Sequence, residues 1–145
     1  MTVALSAAEL PAAASALTQK SDSLLANVQR TDARVFSSAD GKTLLEIDVV
    51  VDVSRSAAAG DYGGYNRAAA KQVTVPASST PSIGALVANE FVGTDSTGRS
   101  VVSLSFREGT VIGVLTMLST SAVVNPATVE AVARVQVQKI DAARL

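Results

Sequence analysis

The stretch Ser100 to Leu118, SVVSLSFREGTVIGVLTML, leaves the chain few choices. Two β-rich runs flank Glu108 and Gly109, and a glycine in second place suits the positive φ of a tight hairpin turn. A two-residue turn there pairs Phe106 with Val111, Leu104 with Gly113 and Val102 with Leu115. These side chains and Met117 share one face, which reads as core. The opposite face carries Ser103, Ser105 and Arg107 on the first strand but Ile112, Val114 and Leu118 on the second. It is polar on one side only, so the return strand reads as internal and partly covered on both faces. The chain must supply those covers.

Other segments extend the sheet. In LLEIDVVVDVS, residues Leu45, Ile47, Val49, Val51 and Val53 alternate with Glu46, Asp48, Val50, Asp52 and Ser54, which predicts a strand with its odd positions in the core. Asp40-Gly41 is a hairpin signal that joins it to a short strand over Arg34 to Ser38. Asn89 to Thr94, Arg99 to Arg107 and Thr110 to Leu118 read as a meander, giving about five antiparallel strands in all.

Helices are expected at both ends. Ser6 to Glu9 has the form of a capping box, and Pro11 suits the first position of a main helix whose stripe is Leu10, Ala14, Leu17, Leu24, Leu25 and Val28. Asn125-Pro126 is a helix start by the same logic, and Val129, Val132, Ala133, Val137 and Ile140 form an apolar stripe suited to cover Ile112 and Val114. Between them, Gly60, Gly63 and Gly64 weaken helix by about 1 kcal/mol each against alanine, so a mobile turn is expected there and a helix from Tyr65 to Gln72. Residues 76–84 read as a loop that links two halves. The fold class is α+β: a single domain over residues 1–145, with N- and C-terminal helices packed on one antiparallel sheet.

Composition narrows the chemistry. The chain has no His and no Cys, which removes zinc centres, Ser-His and Cys-His pairs and redox dithiols. No G-x-S-x-G elbow and no Ser-Lys motif is present, so no catalytic residue is assigned and the reading is not an enzyme. A net charge of -1 without a basic stripe argues against nucleic acid. No apolar run approaches the ~20 residues of a membrane span. Glu46, Asp48 and Asp52 with Asp95 could be imagined around a divalent cation, but outward acids on a half-buried strand account for them and no Ca²⁺-binding loop is present. GDYGGYN, Gly60 to Asn66, lacks the spacings of a phosphate cradle. Neither a metal nor a cofactor is assigned. The same stretch presents Tyr62 and Tyr65, the candidates for touching a ligand or partner; the helical spacing of Tyr65 from Ala69 favours a core position for that residue.

LSAAELP near the start, ANEFVG, SVVSLSFREGTVIGVL and the closing VEAVARVQVQKIDA, with Ala133, Arg134 and Gln136 in the final helix, resemble small actinobacterial extracytoplasmic domains of secreted lipoproteins and receptor-kinase sensor portions. The resemblance implies an α+β domain that senses a ligand or partner, with no shared catalytic residues and an extracytoplasmic location. With no cysteine, the chain departs from them in lacking both a disulfide and a lipid-attachment residue, and its first residues show no basic region followed by an apolar one; without a leader it would be a soluble cytoplasmic protein. The functional expectation is a non-catalytic binding or sensing module for an apolar small molecule or a protein partner. The alternative is a subunit of a homo-oligomer formed through the meander face.

Overall fold

The computed structural model describes residues 3–26 and 30–145. One antiparallel sheet holds seven strands: β1 (Thr18–Ala26), β2 (Arg30–Ser37), β3 (Thr43–Val51), β4 (Ala77–Ser79), β5 (Val87–Thr94), β6 (Ser100–Glu108) and β7 (Val111–Ser119). Helix α1 (Arg55–Lys71) follows β3, and α2 (Pro126–Ala143) follows β7. The strand order is β1-β2-β3-β7-β6-β5-β4. The architecture is therefore α+β, with two strands more than the sequence suggests. One lies inside the 76–84 loop, where three exposed residues pair with β5 at the sheet edge. The other is β1, in place of the expected N-terminal helix.

The β6–β7 hairpin forms, but its turn is Gly109-Thr110 rather than Glu108-Gly109. Gly109 alone takes a positive φ, +58°, in this turn. The pairs become Phe106 with Gly113, Leu104 with Leu115 and Val102 with Met117. A shift of two residues leaves every side chain on its expected face, because the strand period is two. The physical reason for the shift is the Phe106 ring, which lies directly on the bare Cα of Gly113, where any Cβ would collide with it. Placing Phe106 opposite Val111 would leave the ring no such seat.

The two faces of β7 are covered by different elements. Val129, Val132, Ala133, Val137 and Ile140 of α2 pack with Leu104, Phe106, Leu115 and Met117 in the main core, which extends across Leu45, Ile47 and Val49 of β3. The mixed face, with Val101, Val114 and Leu118, lies instead under α1, against Ala69, Ala70 and Val73. The expected cover of Ile112 and Val114 by the C-terminal helix is thus corrected: α2 takes the opposite face. Its cap is as the sequence indicates, with Asn125 Oδ1 accepting from Ala127 N at 3.0 Å and Pro126 at the first position.

No turn interrupts α1 at Gly60, Gly63 or Gly64. Ser54 Oγ accepts from Ala57 N at 3.0 Å to cap the helix, and six alanines offset the glycines. Ala58 and Ala69, fully buried, let the helix settle closely on the sheet. The polar half of the mixed face is satisfied beneath it. Ser105 Oγ donates to Asn66 Oδ1 at 2.7 Å and lies 3.1 Å from the Tyr62 hydroxyl, while Ser103 and Thr116 share a 3.0 Å hydrogen bond across the strands.

At the N-terminus, Ser6 and Glu9 do form a capped turn, the Glu9 carboxylate accepting from Ser6 N at 2.7 Å, but only as two short 3-10 turns over Ala7–Glu9 and Ala12–Ala14. Leu17 is buried and Leu10 packs at the core margin; Leu24 and Leu25 are adjacent residues of β1, and Val28 lies outside the described residues. Pairing with the open edge of β2 outweighs the seven-residue recurrence. Ahead of the turns, Val3–Leu5 run buried between α2 and β2, held by side chains rather than by a strand partner. Asp32 Oδ2 accepts from Val3 N and Ala4 N at 2.9 Å each. Gln136, fully buried, accepts from Leu5 N at 3.0 Å and donates to Val3 O at 2.8 Å. Lys139 Nζ donates to Ala4 O at 2.9 Å.

Two substitutions test these assignments. Gln136→Leu keeps the volume but leaves the Leu5 N–H and the Val3 carbonyl unpaired and buried, so urea denaturation should show a loss of about 2–4 kcal/mol. Val132→Asp buries a lone carboxylate against Leu104 and Leu115, and should lower the melting temperature by many degrees and cause aggregation; Arg134→Ala, at an exposed position, should shift stability by less than about 1 kcal/mol.

Candidate functional site

A helix with its side chains is about 10–12 Å across, whereas neighbouring strands lie about 4.8 Å apart. One helix therefore covers two or three strands. Helix α1 rests on β5, β6 and β7, and beyond its flank the same sheet face continues over β3 and β2. The step between helix and uncovered sheet is a cleft of 320 Å³. Its helical wall is Tyr65, Ala68 and Gln72; its floor is Val114 and Thr116 of β7, Glu46, Asp48 and Val50 of β3, and Thr31 of β2. The floor is in register, with Asp48 opposite Val114, Glu46 opposite Thr116 and Val50 opposite Thr31. A second hollow of 390 Å³, lined by Asp61, Gly64, Tyr65 and Ala68, adjoins it along the helix.

The electrostatics are one-sided. Glu46 and Asp48 are two residues apart on the same face, and among the described residues neither carboxylate takes part in a side-chain hydrogen bond or ion pair. No Lys or Arg lines either hollow. Burial, and then the neighbouring Glu46 charge, push the Asp48 carboxyl from 3.8 up to about 6. The Tyr65 phenol is also raised, by burial first and then by Asp52, Asp61 and Asp48. The arrangement can present negative charge, a tyrosine ring and small apolar side chains to one bound molecule.

The two tyrosines part company. Tyr65 forms a wall of the cleft. Tyr62, about one turn earlier in the helix, points onto the sheet, where its hydroxyl accepts from Asn89 Nδ2 at 2.8 Å and ties α1 to β5 and β6. The residues that sequence reasoning set aside are the floor carboxylates, taken as outward acids on a solvated face. One signal was available: Val50 interrupts the polar register of β3, and it is 3% exposed, so that face is not open to water along its length. Asp95 does not join the group. Its Oδ1 accepts from Thr97 N and Arg99 N, and its Oδ2 pairs with Arg99 at 2.7 Å, so it closes its own turn. Among the described residues no three acidic side chains converge in a way that could hold a metal ion.

Among the described residues no helix is long and apolar enough to cross a membrane. Comparison of the chain with protein-family models, curated proteins and solved structures returns no match.

A further buried carboxyl, Glu90 of β5, lies away from the cleft on the α2 face at 3% exposure, with Oε2 lacking a hydrogen-bond partner. Burial, then Glu130, push it up to about 7. For Asp48 the linkage has a definite sign. A carboxyl whose folded pKa is raised stabilises the fold fully only below its unfolded value near 3.8, and that contribution is lost as pH rises through about 6. Asp48→Asn removes the penalty of the buried charge. The variant should be more stable than the parent by about 1–3 kcal/mol at neutral pH and equal to it near pH ~4, as read by urea melts at both values.

Proposed function

We propose that the protein is a non-catalytic binding module that takes a small molecule into the cleft between α1 and β3. The observation that carries this reading is the cleft itself: 320 Å³, within the range of small-molecule sites, with apolar surface from Val50, Val114, Ala68 and the Tyr65 ring beside a few polar groups. Its walls are built from a helix and from paired strands, so it is preformed. The sequence resemblance to extracytoplasmic sensor domains points the same way. Self-association through the meander face has less to support it, since Ser103, Ser105 and Ile112 on one side and Leu104 and Leu115 on the other are already buried within the chain. Among the described residues the large exposed apolar side chains, Val53, Val75, Leu86 and Val123, each lie in a different connection, and none belongs to a strand of the meander.

The test is an isotope-labelled sample titrated with small aromatic fragments and followed by amide NMR shifts. Shifts should cluster at Val50, Tyr65, Gln72, Val114 and Thr116. Ala68→Trp, which fills the cleft from a helical position, should abolish them while the melting temperature stays within a few degrees of the parent. Shifts that cluster elsewhere, or that survive Ala68→Trp, would reject the cleft as the site.

A further inference from the structure

Building on the cleft as the binding site, we infer that its ligand is a cation: a small molecule whose protonated or quaternary amine nitrogen sits over Glu46 and Asp48 while its apolar part lies against Tyr65, Val50 and Val114. Three features of the cleft converge on this class. The first is charge without compensation. Glu46 and Asp48 stand on one face of β3, roughly 7 Å apart by the strand rise, and no described residue supplies either with a cation. Asp48 is half-buried with the more exposed Glu46 beside it, and a half-buried carboxylate that no described residue neutralises is matched by a positive visitor. The second is the ring. Tyr65 stands in the wall beside these carboxylates, and the face of an aromatic ring attracts a cation within about 6 Å. The third is exclusion: with no Lys or Arg in its lining, the cleft offers an anionic ligand only the like charge of Glu46 and Asp48.

The groups facing Asp48 define how pH enters. Glu46 lies on its own strand, Tyr65 and, beyond it, Asp61 lie on α1, and Asp52 follows at the end of β3; β7 contributes only Val114 and Thr116, and β2 contributes Thr31. All the titratable members are acidic. An arriving ammonium therefore favours the ionised form of Asp48 and expels its proton wherever that proton was still bound, near pH ~6.

Three isosteric probes separate the inference from the reading it rests on: phenethylamine, 2-phenylethanol and phenylacetate, titrated by calorimetry into the full chain at about pH 7.5 and about pH 5. Phenethylamine should bind about tenfold or more tighter than 2-phenylethanol at the higher pH, with phenylacetate weakest; its advantage should shrink at the lower pH, where Asp48 is protonated, while the alcohol is unaffected. The double variant Glu46→Gln, Asp48→Asn should lose the advantage and still bind the alcohol. Near pH ~6 the amine should release protons, read as a dependence of the binding heat on the buffer's own ionisation heat. If the alcohol equals the amine, or if the amine keeps its advantage in the double variant, the cation inference fails and the cleft reading stands. If no probe binds and no amide near Tyr65 shifts, both fail together. Displacement of the amine by millimolar calcium chloride but not by sodium chloride of equal ionic strength would overturn the amine in favour of a divalent ion.

Discussion

A central strand that is apolar on both sides dictates the rest of this molecule. β7 carries Val111, Leu115 and Met117 toward one layer and Ile112, Val114 and Leu118 toward the other, and it is flanked by β3 and β6, so neither edge is free. Water has to be kept from both faces at once. The two helices answer that requirement separately, and neither is redundant. The side facing α2 holds the large side chains, Phe36, Phe106, Leu45 and Ile140 among them. The side facing α1 is a smaller layer in which Ala69 and Val73 meet Phe91 and Val101, with Ser105 and its polar neighbours tied by Tyr62, Asn66 and Asn89. The result is one generous apolar core and one thin, partly polar interface, and the thin one ends at the cleft.

The stretch from Val3 to Leu5 shows how a short segment can be buried without belonging to the sheet. Three backbone N–H groups and two carbonyls in succession are met by Asp32, Gln136 and Lys139. Asp32 is held in turn by Arg34 at 3.4 Å, and Arg34 by Gln19 at 3.2 Å. A buried peptide without such partners would forfeit about 1–3 kcal/mol for each orphaned group. Acids of opposite character thus coexist here: buried Asp32 is saturated by donors, whereas half-buried Asp48 in the cleft and buried Glu90 under α2 are not. Unmet polarity in an otherwise well-satisfied interior marks where the fold has not been optimised for its own stability.

How much of this was legible from residues depends on where the signal resides. Period-two alternation is local, and β3, β5, β6 and β7 emerge close to their observed limits, as does α2 with its Asn-Pro start. The tight turn at Asp40-Gly41 is equally local. β1 is not: TQKSDSLLA has no strand alternation of its own and takes its form from the open edge of β2, a partner that pattern-reading cannot supply. The first half of α1 was hidden by three glycines, whose weak helix propensity is overruled by six alanines, a serine cap and the sheet beneath. Tyr65 drew notice by residue type, but Glu46 and Asp48 did not, because the same alternation fits a solvated face and a cleft floor. What separates the two is the position of a helix that follows in sequence and returns across different strands. Only topology decides that.

The strand order has a consequence for the birth of the molecule on the ribosome. β1, β2 and β3 form one half of the sheet, β4, β5 and β6 the other, and β7 alone joins them. Until residues 111–119 emerge, the early half has no partner along β3, and the contacts of Leu5 with Gln136 and of Ala4 with Lys139, 131 and 135 residues apart, wait on the last helix. Contacts of such long range slow folding and expose unpaired edges in the interval. Vectorial synthesis thus delivers two unfinished halves, and β7 with the helix after it acts as the keystone that converts them into one sheet.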